Sequence, residues 1–481
     1  MLTLLIIALP LLFALITFVA GSKWAKQIAL ASSILECALI GAAVYLHHTG
    51  ETSLLTWDRD WIGPLGISFA FSLDGIGLIM VLLCGVCVPL IVYSTSSSRF
   101  RNPHVFYGLV LMMSGSMLGA FAAADALMFY VFYEFALIPI YFIILMWSQK
   151  ENKLAITFKF FLYTLFGSLF MLAALLYVHQ NAQSFRFEAM YVAGQRLTAL
   201  EQCWVFAGIF LAFAVKIPIF PFHSWQAPTY DAAPTSGTML LGAIMLKMAT
   251  YGLIRMIIPM VPQGLAEWGD IAVTLSVISV IYASCMAIAQ KRFKLLLAWS
   301  SVAHVGVIAA GVLSGTAEGI QGGIFEMFSH ALITIGLFFV CDMIEQRFGT
   351  DEIKSLGGIR DVNPVFAFLF FVLVMSSVAL PFTSGFVGEM LLLTGLYQHG
   401  PLYALLAGLT VILGAVYMLR AFQSIMLGPS NTRTASFGVL NRTEKAVLTI
   451  LVVLTIIFGV YPSLLQSISA ESVNNLLLAI H

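Results

Sequence analysis

Apolar stretches of about 20 residues, long enough to cross a bilayer as helices, recur along the whole chain with short polar loops between them. They fall near residues 2–20, 27–46, 74–94, 104–123, 125–147, 157–178, 203–222, 236–259, 270–289, 293–313, 319–344, 364–397, 402–426 and 445–465. This pattern predicts an all-α polytopic membrane protein of about 14 transmembrane helices. No polar block between spans is long enough to fold alone, so the chain reads as a single membrane domain over residues 1–481. The first stretch has neither a basic leader nor a clear cleavage site and reads as a retained helix. The polar segment 47–70 predicts a short hairpin, and the closing SISAESVNNLLLAIH predicts an amphipathic tail.

Basic residues test the span count, because they accumulate in loops on the inner side of a membrane. Alternate loops carry Lys23, Lys26, Arg99, Arg101, Lys150, Lys153, Lys291, Arg292, Lys294, Arg347, Lys354, Arg360, Arg433 and Arg442. The opposite set carries only Arg59, Arg186 and Arg196. This bias predicts both termini on the outer side. Composition agrees with the class: 60% of residues are hydrophobic and 10% charged, far outside the soluble range. The formal net charge of +0 gives no ground for a nucleic-acid partner. Cys84 and Cys87 form a C-x-x-C inside an apolar span and read as small helix residues, not a redox pair.

Two spans are interrupted alike. The seventh carries Pro218 and Pro221 in KIPIFPFHSW, the twelfth Pro381 in ALPFTSGFVGE, and both read Pro-Phe-x-Ser: Pro221, Phe222, Ser224 and Pro381, Phe382, Ser384. A weaker echo relates YGLIRM around Arg255 to VYMLRAF around Arg420. Five spans separate the copies, so the second is inverted, the pattern of transporters whose sites lie at broken helices. Proline removes a backbone donor and displaces a carbonyl, and such groups need partners at membrane depth. Water is one such partner, and a packing kink is the plainer reading.

Charged residues inside these spans are costly and mark pathways or pairs. Lys216 precedes the first break, Glu389 follows the second, and Lys247 and Glu134 lie deep in the eighth and fifth spans. A Glu134–Lys216 pair that changes separation would change protonation, while a static pair would only fix packing. His304 and His330 lie near mid-depth in consecutive spans and suit a proton relay, since imidazole accepts on one nitrogen and donates from the other. Their alternatives are hydrogen-bonded core histidines or the two axial ligands of a haem. His223 and Asp231 suit the inner mouth or a capping role, and Glu326 shares a helix face with His330. Asp74, Asp125 and Asp342 read as caps or interfacial residues, Lys159 snorkels inward, and Glu36 has no assigned partner. No P-loop, dinucleotide fingerprint or cysteine ladder is present in the sequence, so redox work would fall to a partner.

FYEFALIPIYFIILMW, KFFLYTLFGSLFML, AVKIPIFPFHSW, APTSGTMLLGAIMLKMATYGLIR, SSVAHVGVI, FSHALITIGLFF and LPFTSGFVGEMLLL together resemble the antiporter-like membrane subunits of respiratory complex I. The resemblance runs from about residue 70 to 430. It implies N-terminal helices in 1–103, a first repeat in 104–259, an inverted second repeat in 270–426, and a last helix and tail in 445–481. It implies that Glu134 pairs with Lys216, that Lys247 is the central lysine, that His304 and His330 are relay positions, and that Glu389 is the acid of the broken twelfth helix. It also implies proton translocation without a cofactor in this chain, with NADH, FMN, iron–sulfur clusters and quinone held by other subunits. The implied setting is a bacterial inner membrane, with L-type and N-type antiporter-like subunits as neighbours. Those relatives and the large subunits of multi-subunit sodium/proton antiporters usually carry lysine where this chain has Glu389. A sodium/proton antiporter subunit and a related membrane-bound hydrogenase subunit are the alternatives. The segment WQAPTYDAAPT departs from the family's W-L-P-D-A-H, which loosens the assignments of His223 and Asp231.

Overall fold

The computed structural model describes residues 1–478; the last three residues of the expected tail lie outside the described residues. Among the described residues, thirteen helices are long and apolar enough to cross a membrane. The twelfth span is the exception, split into Pro364–Ser377 and Ser384–His399. The others are Leu2–Ala20, Ala25–Thr49, Gly75–Ser94, Pro103–Ala122, Ala126–Trp147, Lys153–Ala182, Ala199–Lys216, Thr235–Met260, Pro262–Ala289, Phe293–Leu313, Ala317–Phe348, Pro401–Leu427 and Arg442–Val460. Spans three, four, eight, ten and eleven are enclosed by their neighbours, whereas spans one, two, thirteen and fourteen turn mostly outward. The bundle therefore has a central file of enclosed helices.

The expected hairpin is present: Thr56–Ile62 pairs antiparallel with Ile67–Ser72, with Trp57 opposite Phe71 and a register shift between Asp60 and Ile62. Its turn is Gly63–Leu65 closed by Gly66 in the left-handed region, with φ 63°, which glycine adopts without steric cost. The N-terminal ammonium donates to Leu54 O at 3.1 Å. The expected tail forms the helix Ser463–Leu478, which buries Leu465, Ser469, Val473 and Leu476 along one face. Its Ser472 hydroxyl accepts from Gly75 N at 2.9 Å, and Ile468 O lies 3.2 Å from a His47 ring nitrogen. Met1 and the tail helix Ser463–Leu478 thus sit at the same end of the bundle.

Capping follows sequence logic. Asp74 accepts from Gly77 N at 2.9 Å and Asp125 from Leu127 N and Met128 N, satisfying donors that a helix start leaves free. Asp342 instead pairs with Arg99 Nη1 through both carboxylate oxygens, at 2.8 and 2.9 Å. Glu36 is fully buried and has Ser114 Oγ at 3.4 and 3.5 Å from its two oxygens. Cys84 and Cys87 are buried free thiols.

Besides the split twelfth span and the π-helical end of the thirteenth at Gln423–Leu427, three spans depart from straight α-helix. The seventh stops at Lys216 and resumes at Gln226–Ala232. Pro218 has no N–H for Ala214 O, and Ile219 N takes that carbonyl at 2.8 Å; the Trp225 indole then takes Val215 O at 2.8 Å. Protein groups therefore fill the places expected for water. The fifth span has an unforeseen irregularity at Ala136, where Ala126–Phe135 gives way to Leu137–Trp147. Pro139 explains it, because its missing N–H leaves Phe135 O without the i→i−4 partner. The eighth contains two π-helical turns, Leu241–Met245 and Leu253–Ile257, a feature common at functional sites.

A candidate proton relay across the bundle

The first π turn bears directly on Lys247. Widening the helix frees the Gly242 carbonyl, five residues back, and the Lys247 ammonium donates to it at 2.5 Å. The same ammonium lies 2.8 Å from His330 Nδ1, and Thr334 Oγ1 stands 3.2 Å from that nitrogen. Lys247 is fully buried and His330 is 4% exposed. A buried ammonium persists only with such partners, and here they are one carbonyl and one imidazole.

His330 faces His304 with ring centroids 5.6 Å apart. His304 Nδ1 lies 3.0 Å from Glu389 Oε1. The two contacts, Lys247–His330 and His304–Glu389, are joined by a cavity of about 20 Å³ lined by Ser300, Ser301, Glu326, Ser376 and Ser377 with both histidines and Glu389. Such a volume suffices for about one water molecule with polar partners. His304 Nε2, Glu389 Oε2, Glu326 Oε2, Ser301 Oγ and Ser376 Oγ are buried without a hydrogen-bond partner. Buried polar groups need partners, and one water in a cavity of this size would serve several of these.

The first half of the bundle is arranged differently. Lys216 is 1% exposed. Its ammonium donates to Tyr133 O at 3.1 Å and rests over the Tyr133 ring, 3.3 Å from the centroid. No contact within 4.0 Å joins it to Glu134, although the two charges interact electrostatically. Glu134 Oε1 is buried without a partner. A move of Lys216 off the Tyr133 carbonyl towards that oxygen would exchange one partner for another.

Asp231 lies at the basic end of the bundle. It pairs with Lys150 at 2.7 Å and with Arg292 at 2.8 Å, and Arg292 also holds Asp351 at 2.8 Å. Lys150, Asp231 and Arg292, with Arg99, Lys294 and Asp342, line an open vestibule of about 630 Å³ that reaches Asp231–Ser236. His223 is 8% exposed and lies against Tyr282 and Trp299, outside the vestibule lining. Lys159 does not simply snorkel; its ammonium donates to Ser224 O in the seventh-span break at 3.1 Å.

Tyr230 is a residue that charge patterning passed over. Its hydroxyl faces Gln226 and Ser301 closely enough to interact, yet Tyr230 OH, both Gln226 amide atoms and Ser301 Oγ make no direct hydrogen bond. It precedes Asp231 of the vestibule, while Ser301 lines the relay cavity. At the opposite end, a cavity of about 350 Å³ is lined by Asp58, Asp74, Arg186, Glu188, Tyr191 and Arg255 among others. There Arg255 pairs with Asp74, and its Nε donates to Tyr251 OH at 2.9 Å. Among the described residues, no group of three or more His, Cys, Asp or Glu side chains is placed to hold a metal ion.

The fold and site define a polytopic membrane protein with broken helices, buried lysines and facing histidines at depth. Residues 123–414 match the family described as NADH:quinone oxidoreductase/Mrp antiporter, transmembrane, and the chain belongs to that family. Relatives within it match along most or nearly all of the chain. The chain is 36% identical over 483 residues to NADH-quinone oxidoreductase subunit M of Rickettsia typhi, covering 98% of each. It is 34% identical over 421 residues to NADH-ubiquinone oxidoreductase chain 4 of Marchantia polymorpha, covering 86% of this chain and 84% of the other. A chain in the structure of respiratory complex I from Thermus thermophilus with bound NADH superposes with a TM-score of 0.89 at 32% identity, covering 99% of this chain and all of that one.

Proposed function

We propose that this chain is a proton-translocating membrane subunit of NADH-quinone oxidoreductase, coupling quinone reduction elsewhere in the complex to proton movement through its own buried side chains. The observation that carries the reading is the file of contacts from Lys247 through His330 and His304 to Glu389. Each member both accepts and releases a proton, and the single gap, between the two imidazoles, is bridged by one water. The full-length likeness to subunit M supports the assignment, and Glu389 in place of lysine favours it over an L-type, N-type or sodium/proton antiporter subunit.

In this reading the basic end of the bundle faces the inner side of a bacterial inner membrane, with both termini outside. Protons gather in the vestibule at Asp231, pass Tyr230, Gln226 and Ser301 through bound water, and reach Lys247 and His330. His223 borders the same inner route. Glu134 and Lys216 form the switch: as long as Lys216 stays on the Tyr133 carbonyl, Glu134 is free to answer a charge on a neighbouring subunit, either L-type or N-type. Closing the pair withdraws positive charge from the route to Lys247 and sets its proton moving towards Glu389. The two halves of the chain, 104–259 and 270–426, act as inverted repeats around the breaks at Pro218, Pro221 and Pro381. NADH, FMN, iron–sulfur clusters and quinone belong to partner subunits.

The test is to tag the chain, solubilise membranes gently and stain a native gel for NADH dehydrogenase activity. Co-migration with a large active band is expected. A smaller assembly without NADH activity, exchanging sodium for protons, would replace this reading with that of an antiporter subunit.

A further inference from the structure

The cavity at the end of the relay holds a second acid that the proposed path does not use. Glu326 is 2% and Glu389 4% exposed, both line the same cavity, and each has an Oε2 without a hydrogen-bond partner. Their closeness is built into the backbone. Gly388, next to Glu389, packs so tightly on Glu326 that a methyl group at 388 would overlap Glu326 Oε2 and stand 2.7 Å from its Cβ. Only glycine leaves that carboxyl room to lie beside residue 389.

The surrounding groups are Lys247 from the eighth span, His304 from the tenth, Glu389 from the twelfth and His330 on the same helix as Glu326. Cys87 of the third span interacts with Lys247 as well. Two carboxylates confined in one nearly dry cavity repel strongly, and the cheapest arrangement leaves a single charge on the pair. Neither unpartnered oxygen then needs a further protein donor, because a shared proton, direct or through the one water, satisfies both.

We propose that Glu326 and Glu389 form a carboxyl pair holding one proton between them, so that Glu326 is a second proton-carrying acid at the end of the relay. The inference rests on the proton-translocating reading above and deepens it. When a proton arrives from His330 through the cavity water, an O–H bond forms on Glu326 as the water passes its own proton on. Glu389 releases onward the proton that the pair already held as this one arrives, Glu326 then passes its own to Glu389, and the pair again holds one proton and one negative charge. Glu389 then has two feeders, His304 and Glu326.

The infrared carbonyl stretch of a protonated carboxyl tests this in the purified complex, independently of pumping. The wild-type complex is expected to show such a band; Glu326→Gln and Glu389→Gln should each remove or shift it, and the double variant should change little beyond either single one. Additive losses, or an unchanged spectrum in Glu326→Gln, would overturn the shared proton. Loss of the wild-type band on adding sodium at fixed pH would also overturn it, by placing a cation between the carboxyls. Should Glu326→Gln fail to assemble on a native gel, Glu326→Asp keeps the acid and should retain a shifted band that still responds to Glu389→Gln; a band indifferent to Glu389→Gln would again overturn the pair. Absence of NADH-driven pumping by the wild-type complex would defeat the wider reading and leave the infrared result standing.

Discussion

Lys247 and His330 stand 83 residues apart in sequence, yet Nζ of one lies 2.8 Å from Nδ1 of the other. The helical irregularity at Leu241–Met245 makes this possible. It exposes the Gly242 carbonyl to the ammonium and holds the lysine at the depth of the imidazole. One group fixes the lysine, and in the proposed relay the other exchanges a proton with it, so position and function are divided between two partners.

His304 and Glu389 should behave as one unit, because they are in direct contact at 3.0 Å. His304→Ala and Glu389→Gln are each expected to depress coupled turnover, and the double variant to be little worse than either alone. Proton uptake by reconstituted vesicles, measured against NADH oxidation, checks this; additive losses would mean that the two residues serve separate paths.

Tyr133 holds Lys216 with its ring as well as its carbonyl. A desolvated cation–π contact contributes about 2 kcal/mol. Tyr133→Leu should therefore lower coupled turnover and thermal stability together, and Tyr133→Phe, which keeps the ring, should leave both near wild type.

Tyr230→Phe removes one hydroxyl from the link between vestibule and cavity and leaves the ring contact with Phe338. The expected result is slower proton uptake with unchanged stability, read as an increased solvent deuterium effect on pumping. An unaltered pumping rate would take Tyr230 out of the inner route.

Asp74, at the start of the third span, ties acid stability to the far end of the bundle. Burial acts to raise its pKa, but the Arg255 charge and hydrogen bond, helped by Gly77 N, hold it below the ordinary carboxylate value. A group depressed on folding stabilises the fold above its unfolded pKa, about 4, and loses that contribution as pH falls through the folded value. Arg255→Ala should move acid unfolding to higher pH. Asp74→Asn should remove this part of the pH dependence, and circular dichroism against pH distinguishes the two.

Much of this was legible in the order of residues. Spans follow from hydropathy, and the breaks from Pro218, Pro221 and Pro381. Lys216, Lys247, His304, His330 and Glu389 stand out because charge is rare at such depth. What composition does not encode is the fit between helices. The π turn beside Lys247 depends on which carbonyl a distant side chain leaves free. The neighbours of Glu326 depend on Gly388, a residue with no charge to mark it. Tyr230 carries a polar atom on an aromatic body and reads as core until its hydroxyl is seen without a partner. Tyr133 was invisible as a resting place for Lys216 because its part is played by a backbone oxygen and a ring face. The tail helix, weakly patterned, is placed by burial of Leu465, Val473 and Leu476 and by hydrogen bonds with His47, Gly75 and Gln321.

The most direct measurement is proton pumping per NADH oxidised by the reconstituted complex carrying Lys247→Ala. The substitution leaves the Gly242 carbonyl without its donor, a cost of about 1–3 kcal/mol that an intact membrane bundle tolerates, and it cuts the relay at its first contact. Assembly and artificial-acceptor NADH oxidation should persist while proton translocation coupled to quinone reduction falls sharply. Full pumping by an assembled Lys247→Ala complex would contradict the account.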